Sequence, residues 1–357
     1  MSTESPSQVP PAEAPKPTAE RALAAVPVVL TVMATVLAGL SSNEMTRSMY
    51  YRSLAAQNQA KSGSQWEFFQ AKRIRGTTLE AVADLARGQV DMPLTDAAQL
   101  GALMNRVVTA VRQVADTGGQ SSEAADRLTK SAQKLDALLK SDEGRKGLRY
   151  LTGHELPSID AQGTDDPAIR SIVQAIRTRQ TEAQTKDTVA KIDLDRLQEA
   201  IDRAETNAEA FDKASRPLNQ FIRMLDSTLD EIRGELRHID RPDNDKPVTE
   251  ARSALKDASA GLRVARQDLT ARRYAAEAGY NQASAELYEV LVRRNGFESD
   301  RHRERSKNFF YAMLCAQAGV TVAAFALARS RKSLFWGFAG FAGVLALSFG
   351  AYVYVAM

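Results

Sequence analysis

The apolar residues of this chain are concentrated at its two ends and only thinly periodic between them. Residues 22–40 (ALAAVPVVLTVMATVLAGL) hold no charge over 19 positions, residues 309–328 (FFYAMLCAQAGVTVAAFALA) none over 20, and residues 334–357 (LFWGFAGFAGVLALSFGAYVYVAM) none over 24. A helix needs about 20 apolar residues to cross the roughly 30 Å hydrocarbon core of a bilayer. All three runs reach that length, so three transmembrane helices are expected. The first run also has small or β-branched residues before Gly39, as a cleaved signal peptide would. Its length exceeds the usual signal core and favours an uncleaved anchor.

Small residues mark the second and third runs. Ala312, Ala316, Gly319, Ala323 and Ala326 recur at steps of four and three, as do Ala339, Gly343, Ala346 and Gly350. Such stripes let membrane helices approach closely, which predicts a paired hairpin. Gln317 lies mid-span, where a polar side chain ordinarily hydrogen-bonds a neighbouring helix. With no ionisable partner in the spans it is a weak sign of transport.

Between the spans the periodicity is helical. Alternating steps of four and three from Ile169 to Ile239 meet only three polar residues, Gln180, Asp187 and Ser215. A seam at this spacing predicts a coiled coil, about 105 Å long if fully helical. Pro217 removes a helix hydrogen bond and predicts a kink, or a break with Ser215 capping a new helix. Residues 240–247 (DRPDNDKP) predict a turn. Val248, Ala251, Leu255, Ala258, Leu262, Ala265 and Leu269 then resume the spacing. Residues 166–300 are therefore expected to form a coiled-coil helical hairpin, with Asn295-Gly296 a candidate break in its second arm.

Residues 41–165 carry shorter periodic stretches, such as Leu100, Leu103, Val107, Ala110 and Val114, and a candidate loop at 151–167. Residues 1–21 form a Pro-rich tail with the composition of disorder. No stretch alternates with period two for long enough to suggest a sheet. The expected fold class is an all-α membrane protein: three transmembrane helices plus a long helical coiled-coil region.

The bulk numbers narrow the chemistry. The net charge of +3 over 357 residues is too small to point to nucleic acid. Cys315 is the single cysteine, and His154, His238 and His302 lie far apart in sequence. That composition offers no intrachain disulfide, no cysteine metal cluster and no phosphate-binding glycine loop. The GHE at 153–155 lacks the second histidine of a zinc site. No catalytic constellation, cofactor site, metal site or small-molecule substrate is expected.

One polar–aromatic stretch stands out. SQWEFFQAKRIR, residues 64–75, gathers Trp66, Phe68 and Phe69 beside Lys72, Arg73 and Arg75, in a chain with only 6% aromatics. Ser64 and Glu67 match a capping box, which predicts a helix beginning at Ser64 after Gly63. At 100° per residue Trp66, Phe69, Gln70 and Arg73 share one face, and Phe68, Ala71 and Arg75 lie nearly opposite. Aromatics on both sides imply contact on both sides: one with the protein's own helices, the other with a second subunit, a partner or lipid headgroups.

On Trp66, Phe68, Phe69, Gln70, Ala71, Lys72, Ile74 and Arg75 the sequence resembles a bacterial membrane-protein family known only as a domain of unknown function. The family's pattern is W-x-[FY]-[FY]-Q-A-K-x-[IL]-R soon after an N-terminal membrane helix. It ends in two membrane helices joined by a short basic connector, here Arg329, Arg331 and Lys332, often with a glutamine in the first, here Gln317. The resemblance covers roughly residues 25–85 and 300–357; the long central seam departs from it. It implies membrane location and helical structure, and no activity.

The basic connector favours a cytoplasmic position for itself and the tail. The central region would then be periplasmic in a bacterial inner membrane, although Arg301, Arg303, Arg305 and Lys307 abut the second span from the other side. The expected function is a membrane-anchored helical scaffold or interaction protein without catalytic activity, contacting the bilayer and either itself or another helical protein. A membrane sensor or signal transmitter and a subunit of an oligomeric channel or transporter are the alternatives.

Overall fold

A computed structural model describes residues 18–89, 97–117, 123–153, 156, 166–239, 245–328 and 334–356. Among these the chain forms nine helices and no strand: α1 (Thr18–Gln89), α2 (Ala97–Thr117), α3 (Glu123–Lys140), α4 (Asp142–Thr152), α5 (Pro167–Arg177), α6 (Glu182–Ala190), α7 (Leu194–Arg237), α8 (Lys246–Ala328) and α9 (Phe335–Ala356). The expected N-terminal tail up to residue 17, the connector with Arg329, Arg331 and Lys332, His154 with most of the 151–167 loop, and residues 240–244 of the turn lie outside the described residues.

Three helices, α1, α8 and α9, are long and apolar enough to cross a membrane. The first two expected spans are not separate helices. Residues 22–40 open α1 and residues 309–328 close α8, each within a much longer helix. The chain divides into two units, Met1–Gln57 with Val292–Met357, and Asn58–Leu291.

In the first unit, Ala34 and Leu37 of α1, Phe309, Ala312 and Ala316 of α8, and Ala346 and Val353 of α9 form one buried cluster. The small residues of α8 and α9 face inward, as their spacing predicts. A Cβ on Gly319 would sit 3.3 Å from the Ala342 Cβ and 3.1 Å from Leu30, and one on Gly343 would also sit 3.1 Å from Leu30. The expected hairpin is thus a three-helix arrangement, with Leu30 of α1 seated against the glycines of both other helices.

The second unit is built around α2, α3, α7 and α8, with α4 and α5–α6 packed at their sides. Leu100, Val107, Leu128, Leu135, Leu225, Ile232, Val248 and Leu262 belong to one buried cluster. Each fully buried leucine or valine contributes about 1.5–3 kcal/mol. The α7 and α8 arms are antiparallel. Arg273 donates to Asn219, Arg266 to Asp226 and Arg233 to Ser259, so steps forward along α7 match equal steps back along α8. All seven expected positions of the second arm, Val248 to Leu269, are buried.

Several expectations need correction. The seam does not begin as one helix at Ile169. It breaks twice before α7. At the first break Arg179 adopts a positive φ of 56°, and the Thr181 N–H donates to Gln184 across a new helix start. At the second the Asp193 carboxylate caps α7 by accepting from the Asp195 N–H. Between the breaks the predicted positions Ala183, Ala190 and Leu194 are exposed, and Thr185, Val189 and Ile192 are buried instead. Two polar seam residues, Gln180 and Asp187, mark the region where the spacing loses its hold. From Leu197 onward the predicted seam is the buried one.

Pro217 lies inside α7, which continues unbroken. Ser215 caps nothing; it is buried and its hydroxyl donates to the Phe211 carbonyl one turn earlier. Nor does a helix begin at Ser64, because α1 runs through Gly63 without interruption. A helical glycine costs about 1 kcal/mol, and the tertiary contacts on either side, beginning with the Ser62 hydroxyl on the Ala285 carbonyl, offset it. The Asn295-Gly296 pair likewise falls inside α8, where Asn295 is buried.

Candidate functional site

The Trp66 stretch occupies α1 where that helix lies along α8. Trp66 and Phe69 are half-buried and meet edge to face, their ring centroids 5.5 Å apart. The Arg73 guanidinium lies over the Phe69 ring at 5.9 Å, and Lys72 pairs with Glu277 of α8 at 3.2 Å. One turn on, a Cβ at Gly76 would lie 3.4 Å from the Ala271 carbonyl oxygen. The absence of a side chain there lets the two backbones come close. Phe69, Arg73 and Gly76 line a groove of about 370 Å³ with Ala271, Ala275 and Ala278.

The other members of the stretch turn away. Phe68, Gln70 and Arg75 are exposed, and so is Ile74. The structure therefore brings Trp66, Phe69, Lys72 and Arg73 together against α8 and leaves Phe68 and Ile74 on the outer side of α1.

Gln317 is placed differently from its expectation. Its side chain is exposed, and within the first unit it points to no neighbouring helix. Only its backbone carbonyl is engaged beyond the helix ladder, accepting from Thr321 Oγ1 at 3.1 Å. The inward positions of α8 are taken by Ala312, Ala316 and Gly319, whose small size sets the close approach and turns residue 317 outward.

A polar clamp in the first unit was not foreseen. His302 of α8 is buried, and its Nδ1 lies 2.5 Å from Glu44 Oε2 of α1. Tyr51 stacks on the imidazole at 5.4 Å with the planes 5° apart. On either side of this pair, serines bond across the two helices. Ser306 donates to the Ser41 carbonyl (2.8 Å) and Ser41 to the Ser306 carbonyl (2.9 Å); Ser299 donates to the Ser48 carbonyl (2.9 Å). Glu44 follows the first apolar run by one turn and His302 precedes the second by two. Its mark in the sequence is a pair of serines seven residues apart on each helix, Ser41 and Ser48, Ser299 and Ser306, residues too small to enter a hydrophobic pattern.

Two further polar groups are buried in the second unit. Glu286 of α8 accepts from both Arg177 Nε (2.8 Å) and Nη2 (2.9 Å) and from Gln282 (2.9 Å). The hydrogen bond to Glu286 pushes the Arg177 guanidinium above its ordinary range. Tyr288 donates to Glu205 at 2.8 Å, with Lys61 5.3 Å over its ring. Burial first, then the Glu205 carboxylate, pushes the phenol well above its usual value. Among the described residues no group of three His, Cys, Asp or Glu side chains is placed to hold a metal ion.

The fold and these contacts define an all-helical protein with three helices suited to crossing a membrane and a helical bundle between them. A family model described as a domain of unknown function (DUF4337) matches residues 19–143. That stretch spans α1 to the first turn of α4, so it contains the Trp66 motif and omits α7, α8 and α9. Neither a curated protein nor a solved structure matches the chain.

Proposed function

We propose that the protein is a membrane-anchored helical scaffold whose α1 offers a docking face to a second helix. One observation carries this reading: Phe68, Ile74 and Leu85 are 56%, 65% and 72% exposed along α1. At 100° per residue they fall within an arc of about 120° together with Ala71, Thr78 and Val82, an arc that also carries Glu67 and Arg75, opposite the Ser62, Gly76 and Ala83 positions buried toward the bundle. Apolar faces of this kind on an otherwise charged surface are typical of interaction sites. Spacing at i, i+3, i+4 and i+7 is what a partner helix reads. The partner is a second copy or another helical protein.

The reading sets the chain in a bacterial inner membrane with the helical region between α1's and α8's apolar ends on the periplasmic side. The short basic connector at 329–333 supports that orientation.

The triple variant Phe68→Gln, Ile74→Gln, Leu85→Gln tests the scaffold role, measured by sedimentation of the full chain in detergent beside the wild type. Helical content and melting should stay the same, and the wild-type assembly should fall apart to single chains. A triple variant that assembles as the wild type does would sink the reading. Trp66→Ala with Phe69→Ala serves as the contrast and should lower the melting temperature, because those side chains pack inward.

A further inference from the structure

The paired ends of α7 and α8 form a concave surface of about 430 Å³ whose polar rim is cationic. Arg233 and Arg237 come from α7, and Arg252, Lys256 and Arg263 from α8; among the described residues no carboxylate lines it. Leu236 and Leu255 form its floor. The spacing places these residues together. Arg233 and Arg237 are one turn apart, and Arg252, Lys256 and Arg263 share a face of α8 at steps of four and seven. The bond from Arg233 to Ser259 fixes the two helices in register and aims that guanidinium along the groove at 2.9 Å.

This is not a basic region of sequence. Residues 230–263 hold seven Lys or Arg and eight Asp or Glu. The charges are sorted by direction. Glu231 is taken by Lys134 (2.8 Å) and Glu235 by Arg127 (3.8 Å), both from α3, and Asp257 is taken by Arg106 (3.5 Å) from α2. Three acids of this stretch are thus answered by cations of the neighbouring helices α2 and α3. Arg233 keeps one acid, Asp230, at 2.5 Å. Arg237, Lys256 and Arg263 have no carboxylate within ion-pair distance among the described residues. In residues 240–244, Asp240 and Asp243 less Arg241 add one net negative charge, too little to balance the rim. Like charges held this close repel, and a multivalent anion relieves that repulsion. Guanidinium forks suit phosphate oxygens in particular, since they donate two parallel hydrogen bonds.

We infer that this groove is a binding site for a free multivalent phosphoanion. Arg237, Lys256 and Arg263 supply the unanswered charge, and Arg233 is held ready by Asp230 and Ser259.

The test uses the full chain in phosphatidylcholine nanodiscs at low salt, titrated with tripolyphosphate by calorimetry. Three proteins are compared: wild type, Lys256→Gln with Arg263→Gln, and a control, Arg203→Gln with Arg216→Gln. The control removes equal charge from exposed pairs one turn apart on α7. Tripolyphosphate should bind the wild type and the control alike, and the groove variant at least about tenfold more weakly, the size of losing charge-assisted bonds. Thermal unfolding in the same discs, with and without tripolyphosphate, gives a second readout. Tripolyphosphate should raise the unfolding temperature of the wild type and the control, and that of the groove variant less. The inference is overturned if tripolyphosphate does not stabilise the wild type, or if groove and control variants respond equally.

Discussion

The pairing of Arg177 with Glu286 makes a sharp prediction, because its two members are so unequally exposed. The Glu286 side chain is 2% exposed and that of Arg177 53%. Removing the arginine strands a carboxylate in the bundle with a single remaining donor, Gln282. Breaking a fully buried pair from one side costs about 3–5 kcal/mol. Half-exposure of the guanidinium means that water already reaches the edge of the site, so about 2–3 kcal/mol is the expected loss for Arg177→Ala. Adding Glu286→Gln to that variant removes the stranded charge while keeping the shape and the Gln282 contact. The double variant should therefore regain about 1–2 kcal/mol over Arg177→Ala alone. Urea unfolding in detergent, followed by far-ultraviolet circular dichroism, measures all four corners of the cycle. A double variant no more stable than Arg177→Ala would refute the argument, since the penalty would then lie in lost arginine packing and not in a buried charge.

Three other expectations are each tied to one position. Gly147→Ala should lower stability by about 1–3 kcal/mol, although alanine is the better helix former, because its Cβ would overlap the buried Phe221 ring; an unchanged melting temperature would show that the ring can move aside. Asp166 caps α5, and the Ala168 N–H foremost, then the Ile169 N–H and Arg196, hold its carboxyl below the usual range despite partial burial. Its contribution, about 1 kcal/mol for such a cap, is present above the unfolded carboxylate value and fades as pH falls through the lower folded one. The stability gap between wild type and Asp166→Ala should thus narrow on acidification, and a gap independent of pH would count against it. Ser253→Cys in a Cys315→Ser background should react with an impermeant thiol reagent added to intact spheroplasts, and protection until lysis would reverse the proposed orientation.

The parts of the fold legible in the sequence were those where one large apolar residue per turn does the work. Leu197 to Leu236 and Val248 to Leu269 announced their burial and their antiparallel pairing. The three apolar runs announced themselves by length alone. The reading went astray where weak local signals competed with tertiary packing. Pro217, Gly63-Ser64 and Asn295-Gly296 each resemble a helix end, yet α7, α1 and α8 run through them. A proline or glycine costs a few kcal/mol at most, and helices that bury a face on both sides of the fault can bear it. Conversely, Thr178 to Thr181 contains neither glycine nor proline, and there the chain does break. In the candidate site, the sequence supplied the Trp66 stretch and its two faces, but the meeting of Glu44 with His302, residues separated by most of the chain, is marked only by small serines that a pattern of large apolar residues omits.

The seam between α1 and α8 shows why that pairing was hard to see. On α1 the buried residues Ala34, Ser41, Ser48, Ser62, Gly76 and Ala83 fall on one seven-residue repeat, and on α8 Val264, Ala271, Ala278, Ala285, Ser299 and Ser306 fall on another. Nearly all are small, so a search weighted by hydrophobicity passes over them. Their size is the point of the arrangement. In the first unit Ser41 reaches the backbone carbonyl of Ser306 and Ser306 that of Ser41, and in the second Ser62 reaches that of Ala285. A two-atom side chain can do so only when the helix backbones lie close together. Alanine would permit the same approach but leave those carbonyls with one bond fewer. Leucine would fill the seam and force the helices apart. Serine at this spacing satisfies both demands, and it fixes the one geometry in which the Glu44 carboxylate and the His302 ring can meet between the helices.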